Sequence, residues 1–150
     1  MANRSDSALR DIDGYVASKL NRFSNTEKNF GSLFDFMFSE KENIMFEKSE
    51  GYRIVETTYG ECRESILKRS ALLGSIAESF GISRGAAVGI YLGNSREWIE
   101  VFWSVLACGF RPFLMNQRLD KATLSGAAVE CGAELIIAET DELDLASRSR

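Results

Sequence analysis

The sequence predicts an α/β fold with a partial parallel sheet, and three observations lead to this prediction. Three apolar runs of strand length follow one another at nearly regular spacing in residues 86–138. A stretch with helical periodicity separates each run from the next, and a glycine follows each of these stretches. Alternating strands and helices form βαβ units, which wind right-handed and give parallel strands. We therefore expect flanking helices and two successive βαβ units, preceded by helices and a β-hairpin.

The first forty residues are expected to be helical. Apolar residues recur at steps of three and four within residues 7–23, although Gly14 in the middle costs about 1 kcal/mol of helix stability. A second, strongly aromatic stripe follows at residues 30–38. We interpret it as a core-facing helix. A helix lying on a membrane surface would carry a lysine-rich opposite face, whereas acidic and basic residues are mixed here.

Residues 43–56 predict a β-hairpin. Two β-prone runs, 43–48 and 52–56, are separated by three residues that end in Gly51. Glycine suits the positive φ that a tight hairpin turn requires. The sequence therefore predicts two short antiparallel strands ahead of the first βαβ unit.

A long helix is predicted after the hairpin. Thr58 and Glu61 have the spacing of a capping box, in which each side chain satisfies a backbone N–H at the helix start. Gly81 stands where a glycine ends a helix in the left-handed conformation. One stripe of the helix is apolar and should face the core. It consists of Tyr59, Cys62, Ile66, Leu73, Ile76 and Phe80.

The strands and helices of the βαβ units are expected to differ in how far they are buried. The run 86–92 is expected to be buried on both sheet faces, and the helix after it, apolar on nearly every side, should be covered on more than one flank. Pro112 argues against a central place for the next strand, because proline donates no ladder hydrogen bond. Residues 135–138 predict a third buried strand. The twelve residues 139–150 are too polar to cover it, so the sheet is expected to be unfinished.

Composition restricts the classes of function. The 150 residues contain no histidine, which excludes Ser/His and Cys/His triads and most zinc or copper sites. The net charge of −4 disfavours nucleic acid as a partner. The cysteines lie far from any CxxC spacing and are predicted to be small core residues rather than metal ligands. They are Cys62, Cys108 and Cys131.

The sequence also bears on location. The first residues lack an apolar signal region, and no window approaches the roughly 18 apolar residues of a membrane span. We expect no transmembrane segment and a cytoplasmic location with reduced thiols. Peripheral membrane contact through residues 30–38 stays open as an alternative.

Candidate site positions follow from the fold rather than from a motif. Neither GxxxxGK[ST] nor GxGxxG occurs, so no phosphate-binding loop is predicted. Ligands of an open parallel sheet bind beyond the carboxyl ends of the strands, here residues 93–95, 116–119 and 139–141. Their polar groups are equally explained by helix capping, which we expect for Asn94 and Asp120. No catalytic, cofactor-binding or metal-binding residue is predicted.

An ordered series of short motifs runs through residues 57–139. It comprises Thr58, Tyr59 and Glu61 of T-Y-x-E, Gly81 and Gly85 of the GISRG turn, Asn94, Ser95, Glu97 and Trp98 of N-S-x-E-W, and Ala107, Gly109, Pro112, Asn116 and Leu119 of A-x-G and P-x-x-x-N-x-x-L. The series resembles the N-terminal subdomain of the adenylate-forming (AMP-binding) ligases, such as acyl-CoA synthetases. Ala86 and Gly93 depart from the aspartate and proline usual there, at positions that look structural.

The resemblance implies a two-step reaction. A carboxylate attacks the α-phosphate of Mg-ATP to give an acyl-adenylate and pyrophosphate, and the thiol of CoA then takes the acyl group. The N-x-x-L ending at residues 116–119 is more similar to the fatty-acid type than to peptide-synthetase domains. The family's Ser/Thr/Gly-rich phosphate loop has no counterpart in these residues. ATP, Mg²⁺ and CoA are therefore implied for the complete enzyme and no cofactor for the present residues.

Two hypotheses follow from different classes of function. In the first, the chain is the amino-terminal part of an acyl-CoA synthetase, a fragment that is inactive alone. In the second, it is a non-catalytic α/β binding or regulatory module whose partner is the remainder of a ligase, a full-length ligase or another protein surface. The expected organisation is a helical segment at residues 1–42, the α/β subdomain at 43–139 and a polar tail at 140–150.

Overall fold

The computed structural model describes residues 4–139, with side chains described from residue 12 onward, and the predicted tail at 140–150 lies outside the described residues. The chain divides into two compact units, Met1–Glu40 and Lys41–Arg150. The first contains helices α1 (Arg4–Ser24) and α2 (Phe30–Met37). The second contains β1 (Ile44–Glu50), β2 (Arg53–Thr58), α3 (Tyr59–Ser79), β3 (Ala87–Tyr91), α4 (Arg96–Ala107), β4 (Arg111–Leu114), α5 (Lys121–Glu130) and β5 (Ala133–Ala138).

The first unit is a pair of helices joined through aromatic side chains. The rings of Phe23 on α1 and Phe36 on α2 lie 4.9 Å apart. Lys19 on α1 forms an ion pair of 2.8 Å with Glu40, just beyond α2. Phe34 is buried, in agreement with a core-facing aromatic stripe. No helix of the described residues is long and apolar enough to cross a membrane.

The hairpin is confirmed, with a shifted turn. Gly51 has a φ of 63° and occupies the turn as expected. Tyr52, expected at the start of the second strand, also belongs to the turn and is fully exposed. β2 instead begins at Arg53 and continues to Thr58, because the antiparallel pairing with β1 extends to the residue that caps the next helix.

The capping box of α3 is confirmed in both directions. The backbone N–H of Glu61 donates to Thr58 Oγ1 over 3.2 Å, and the N–H of Thr58 donates to Glu61 Oε2 over 2.8 Å. Gly81 ends the helix with a φ of 69°. Phe80, predicted to face the core, is 76% exposed, because it is the C-cap residue and leaves the buried face. Ala77 is buried in the last turns of that face.

The second unit contains the parallel sheet, whose strands lie in the order β4-β3-β5. The connection from β3 to β4 runs to one side, and the connection from β4 to β5 crosses β3 to the other. Right-handed crossovers in opposite directions place α4 and α5 on opposite sheet faces. Pro112 lies in the edge strand β4, as predicted.

The core consists of two apolar clusters, one on each face of the sheet. Residues of α3, α4 and β3 form the first, with Val88, Ile90 and Val105 fully buried. The second is formed by residues of α5 and β3 and by Met115 just after β4, with partly buried residues of β4 and β5 packed against them. All five residues of β3 are buried, which confirms the strand buried on both faces.

Two expectations about burial are wrong, those for β5 and Cys131, and the expectation for α4 is confirmed. β5 is only half-buried apart from its exposed Glu134, because it has a neighbouring strand on one edge alone. α4 contacts α3 on one flank and strands β3 and β4 on another, as expected, and its buried face includes Glu100, whereas Trp103 and the other aromatic side chains of α4 are half-buried. Cys131 is exposed because it is the C-cap of α5, while Cys62 is buried as expected.

Candidate functional site at the carboxyl ends of the strands

The loops after the three parallel strands meet at one edge of the sheet. Gly93 follows β3, Gln117 follows β4 and Glu139 follows β5. A Cβ placed on Gly93 would lie 3.4 Å from Gln117 Oε1 and 3.9 Å from Glu139 Oε1. The predicted convergence of these loops is therefore present, while residues 140 and 141 lie outside the described residues.

A cleft of about 440 Å³ opens between the loops after β3 and β4. Its lining combines four apolar side chains with three side-chain amides and a guanidinium group. The apolar residues are Leu92, Trp98, Leu114 and Met115, and the polar ones are Asn94, Asn116, Gln117 and Arg118. The lining thus has one cation and no carboxylate, which suits a polar or anionic group.

The loop after β4 is held by its own asparagine. The N–H of Arg118 donates to Asn116 Oδ1 over 3.0 Å, and the N–H of Leu119 donates to the Asn116 carbonyl over 3.1 Å. The N–H of Met115 donates to the Ile90 carbonyl on β3 over 3.0 Å. An asparagine side chain that accepts from the backbone two residues later imitates a backbone turn. Asn116 therefore fixes the segment that carries Arg118.

The helix caps beside the cleft differ in part from the prediction. Ser95, not Asn94, caps α4, accepting from the N–H of Trp98 over 3.2 Å. Ser95 takes this place because its hydroxyl lies three residues before that N–H. Asn94 lines the cleft instead. Asp120 caps α5 as expected, and hydrogen bonds from the hydroxyl and N–H of Thr123 hold the pKa of Asp120 below its usual range.

A buried carboxylate lies behind the start of α4. Glu100 is 1% exposed and accepts three hydrogen bonds from side chains. Ser65 Oγ donates over 2.6 Å and Arg69 Nε over 3.0 Å, both from α3. Arg96 Nε donates over 2.6 Å from one turn earlier on α4. A buried charge is stable only with such partners.

The cluster also reaches the hairpin. Arg96 Nη1 donates to Thr57 Oγ1 over 2.9 Å, so Arg96 links β2 to the first turn of α4. Burial raises the pKa of Glu100, but the hydrogen bonds from Ser65 and Arg96 and the nearby positive charge outweigh it, and the pKa lies below its ordinary value. The sequence interpretation missed this cluster. Its one local signal was the i, i+4 spacing of Arg96 and Glu100.

Metal-ligating side chains are not clustered in the part of the chain that the structure describes. Among them, no three or more Asp, Glu or Cys side chains come together to hold a metal ion. The cleft lining lacks a carboxylate, so it does not fit a magnesium–triphosphate group. Its chemistry is limited to hydrogen bonding, one positive charge and contact with the indole of Trp98.

Comparison with known families decides what this subdomain is. The model of the AMP-binding enzyme family matches residues 39–150. The chain belongs to this family. This confirms the resemblance carried by residues 57–139, and the α/β fold agrees with it. Among curated proteins, none matches the chain in sequence.

Solved structures of adenylate-forming ligases share the fold of this chain. The O-succinylbenzoate CoA synthetase MenE from Bacillus subtilis, in complex with AMP, is 14% identical with a TM-score of 0.60, and the match covers 77% of this chain and 28% of the synthetase chain. A benzoate CoA ligase from Burkholderia xenovorans is 20% identical, with a TM-score of 0.58 and coverages of 75% and 22%. The Klebsiella oxytoca NpsA N-terminal subdomain, bound to anthranilyl-AMSN, is 15% identical, with a TM-score of 0.58 and coverages of 74% and 27%. The chain thus spans less than a third of each.

Proposed function

We propose that this chain supplies the N-terminal part of an ATP-dependent acyl-CoA synthetase of the fatty-acid type. The family match over residues 39–150 carries the proposal. In the first step, a carboxylate oxygen bonds to the α-phosphorus of ATP while the bond to the β-phosphate breaks and pyrophosphate leaves. In the second, the thiol sulfur of CoA bonds to the acyl carbon, AMP leaves with the former carboxylate oxygen, and the thiol proton passes to solvent.

The chain's own contribution is a scaffold and one wall of a binding region. Arg118 supplies a positive charge at the carboxyl edge, and the amides of Asn94, Asn116 and Gln117 supply hydrogen bonds. We propose that these groups hold a polar or anionic part of the substrate at this edge. Since the residues do not fit a magnesium–triphosphate group, we propose that the chain is not catalytic alone and that the two steps need groups from elsewhere in a ligase.

The fatty-acid type is the finer part of the proposal. The N-x-x-L ending at residues 116–119 supports it. The structural relatives include enzymes for O-succinylbenzoate and benzoate, so the fold alone leaves the acid undecided. We also propose a cytoplasmic location, supported by cysteines that form no disulfide among the described residues.

Pyrophosphate release tests the proposal in two arms. The 150-residue chain is incubated with ATP, Mg²⁺ and a panel of long-chain fatty acids and aromatic acids. We expect no release above the level without protein, and release by the chain alone would contradict the scaffold assignment. In a longer polypeptide in which the chain is followed by the rest of a ligase, we expect release with fatty acids. Release with aromatic acids alone would contradict the fatty-acid type.

A second candidate function is an interaction module that associates with a full-length ligase or another protein. The half-buried strand β5, which has one free edge in the described chain, favours it. Copurification of the chain with a full-length ligase from the same cells would support this candidate. Recovery of the chain without that ligase would contradict it.

A further inference from the structure

The start of α4 lies between two open spaces. On one side is the cleft at the carboxyl edge, whose lining includes Asn94 and Trp98. On the other side, a cavity of about 520 Å³ lies between the start of α4 and the hairpin, and Asn94 borders this cavity as well. Residues 94–96 therefore have room on both sides, and their position depends on side chains that reach across to the hairpin.

Arg96 is the side chain that makes this connection. Its Nη1 donates to Thr57 Oγ1 on β2 over 2.9 Å, and its Nε donates to Glu100 over 2.6 Å. A guanidinium group is planar and rigid, so two bonds from different nitrogens fix its direction as well as its distance. Thr57 and Glu100 are 5% and 1% exposed, so either acceptor would be left buried if Arg96 moved away.

The residues of the cleft are tied closely to Arg96 along the chain. Asn94 stands two positions before it and Trp98 two positions after it. The N–H of Trp98 donates to Ser95 Oγ over 3.2 Å, which closes the first turn of α4. Arg96 itself lies outside the lining of the cleft and borders the cavity beside the hairpin. A shift of Arg96 would therefore carry both cleft residues with it.

We propose that Arg96 is a positioning residue for the cleft. Its hydrogen bond to Thr57 holds Asn94 and Trp98 at a distance from the loop after β4 that strand β2 sets. The hairpin thereby controls the width of the cleft, although none of its residues lines the cleft. The functional part of this inference rests on the proposed role of the cleft in holding part of the substrate.

Two substitutions of Thr57 form a matched pair. Thr57→Val removes the hydroxyl that accepts from Arg96 and keeps a β-branched side chain that suits a strand. Thr57→Ser keeps the hydroxyl and removes the methyl group instead. We expect the first turn of α4 to loosen in the valine variant alone.

Arg96→Lys breaks the same bond from its other end. An ammonium group is a compact point charge without the fork of a guanidinium group, so it should stay with the Glu100 carboxylate and leave Thr57. The expected result is the same loosening as in Thr57→Val. Agreement between the two variants assigns the effect to the bond and not to the strand.

Two measurements on the 150-residue chain report on the cleft wall. The chain has two tryptophans, so Trp103→Phe in every variant leaves Trp98 as the single fluorescent indole. In Thr57→Val we expect acrylamide to quench Trp98 more strongly than in the parent. Hydrogen exchange of the Trp98 amide should be about tenfold faster, which corresponds to the loss of one hydrogen bond from a charged group. Thr57→Ser should keep the parent values.

Val105→Ala is the control for a general loss of stability. Val105 is fully buried near the other end of α4 and does not contact Arg96 through a hydrogen bond. Its truncation removes core packing and leaves the bonds of Arg96 in place. Chemical denaturation should show reduced stability, while quenching and exchange at Trp98 should stay at the parent values.

Three results would overturn the positioning role. Parent-like quenching and exchange in both Thr57→Val and Arg96→Lys would show that their bond does not hold the cleft wall. Equal changes in Thr57→Val and Thr57→Ser would assign the effect to strand packing. The same change in Val105→Ala would reduce it to a general loss of stability. None of these measurements needs a substrate, so failure of the pyrophosphate assay in the longer polypeptide would contradict the proposed function separately.

Discussion

Glu100 accepts a 2.6 Å hydrogen bond from Arg96 one turn earlier on α4, although Glu100 is almost completely buried and Arg96 is partly exposed. An ordinary surface pair at this spacing contributes little to stability, because water screens both charges. Here the carboxylate has lost its water and depends on the donors from Arg96, Arg69 and Ser65. The pair therefore fixes the first turn of α4, next to the cleft.

Removal of the Glu100 carboxylate should destabilise the chain strongly. Glu100→Ala leaves three donors without their acceptor and creates a cavity, so we expect a loss of about 3–5 kcal/mol in the free energy of unfolding. Urea denaturation measures it. The control is Glu64→Ala, whose exposed carboxylate pairs with Lys68 over 4.0 Å and should change stability by about 0.5 kcal/mol or less. Equal losses in both variants would contradict the role given to the buried cluster.

The stability of the chain should fall in acid, and Glu100 should contribute to the fall. Its pKa is lower in the folded chain than its ordinary value of 4.5, so the unfolded state binds the proton more tightly. The stabilisation is complete above that ordinary value and is lost as the pH falls through the lower folded pKa. We expect the unfolding free energy of Glu100→Gln to depend less on pH in this acidic window. A parallel pH profile for the variant would contradict the expectation.

Substitution by alanine should change the stability of the chain in opposite directions at two glycines. A Cβ on Gly89 in β3 would lie 2.8 Å from Met115 Sδ and 3.2 Å from Ile136 Cγ1, so Gly89→Ala should cost about 1–3 kcal/mol through overpacking. Gly126 lies inside α5, where an added Cβ would meet nothing within 4 Å apart from its chain neighbours and the backbone of its own helix, and Gly126→Ala should stabilise by about 0.4–1 kcal/mol. Chemical denaturation of both variants compares them directly. A stabilising Gly89→Ala would mean that the sheet is packed less closely there.

Truncation of a buried isoleucine and of an exposed one in the second unit should reduce the free energy of unfolding by different amounts. Ile90 on the central strand β3 is fully buried against the helices of one sheet face, and Ile90→Ala should cost about 2–5 kcal/mol. Ile54 on the hairpin is largely exposed, and Ile54→Ala should stay within about 0.5 kcal/mol of the parent. Thermal unfolding of the two variants, monitored by circular dichroism, measures the difference. A large loss in Ile54→Ala would indicate that the hairpin is covered in solution.

Local signals explain why the boundaries of the elements could be predicted. Thr58 with Glu61 started α3 where expected, and Gly81 ended it, because capping and positive φ act within one turn of backbone. Pro112 marked an edge strand for a similarly local reason, the missing N–H. The carboxyl-edge position of the loops after β3 and β4 followed from parallel pairing alone.

It was harder to predict which side chains are buried and which side chains from distant segments contact one another. Glu100 stands among apolar residues of α4, and nothing within one turn shows that Ser65 and Arg69 of α3 approach it. Cys131 and Phe80 looked like core residues, yet each is a cap residue at the end of its helix. Asn94 looked like a cap and lines the cleft.

The amino-acid sequence by itself determined the kinds of elements, their ends and the parallel direction of the sheet, because these depend on backbone conformation and on side chains a few positions apart. Only the tertiary structure decided the strand order β4-β3-β5, the burial of Glu100 and the cleft that Arg118 lines. These features arise when elements distant in the chain exclude water from one another. The free energy of such a contact depends on both elements, so the sequence of one segment does not determine it.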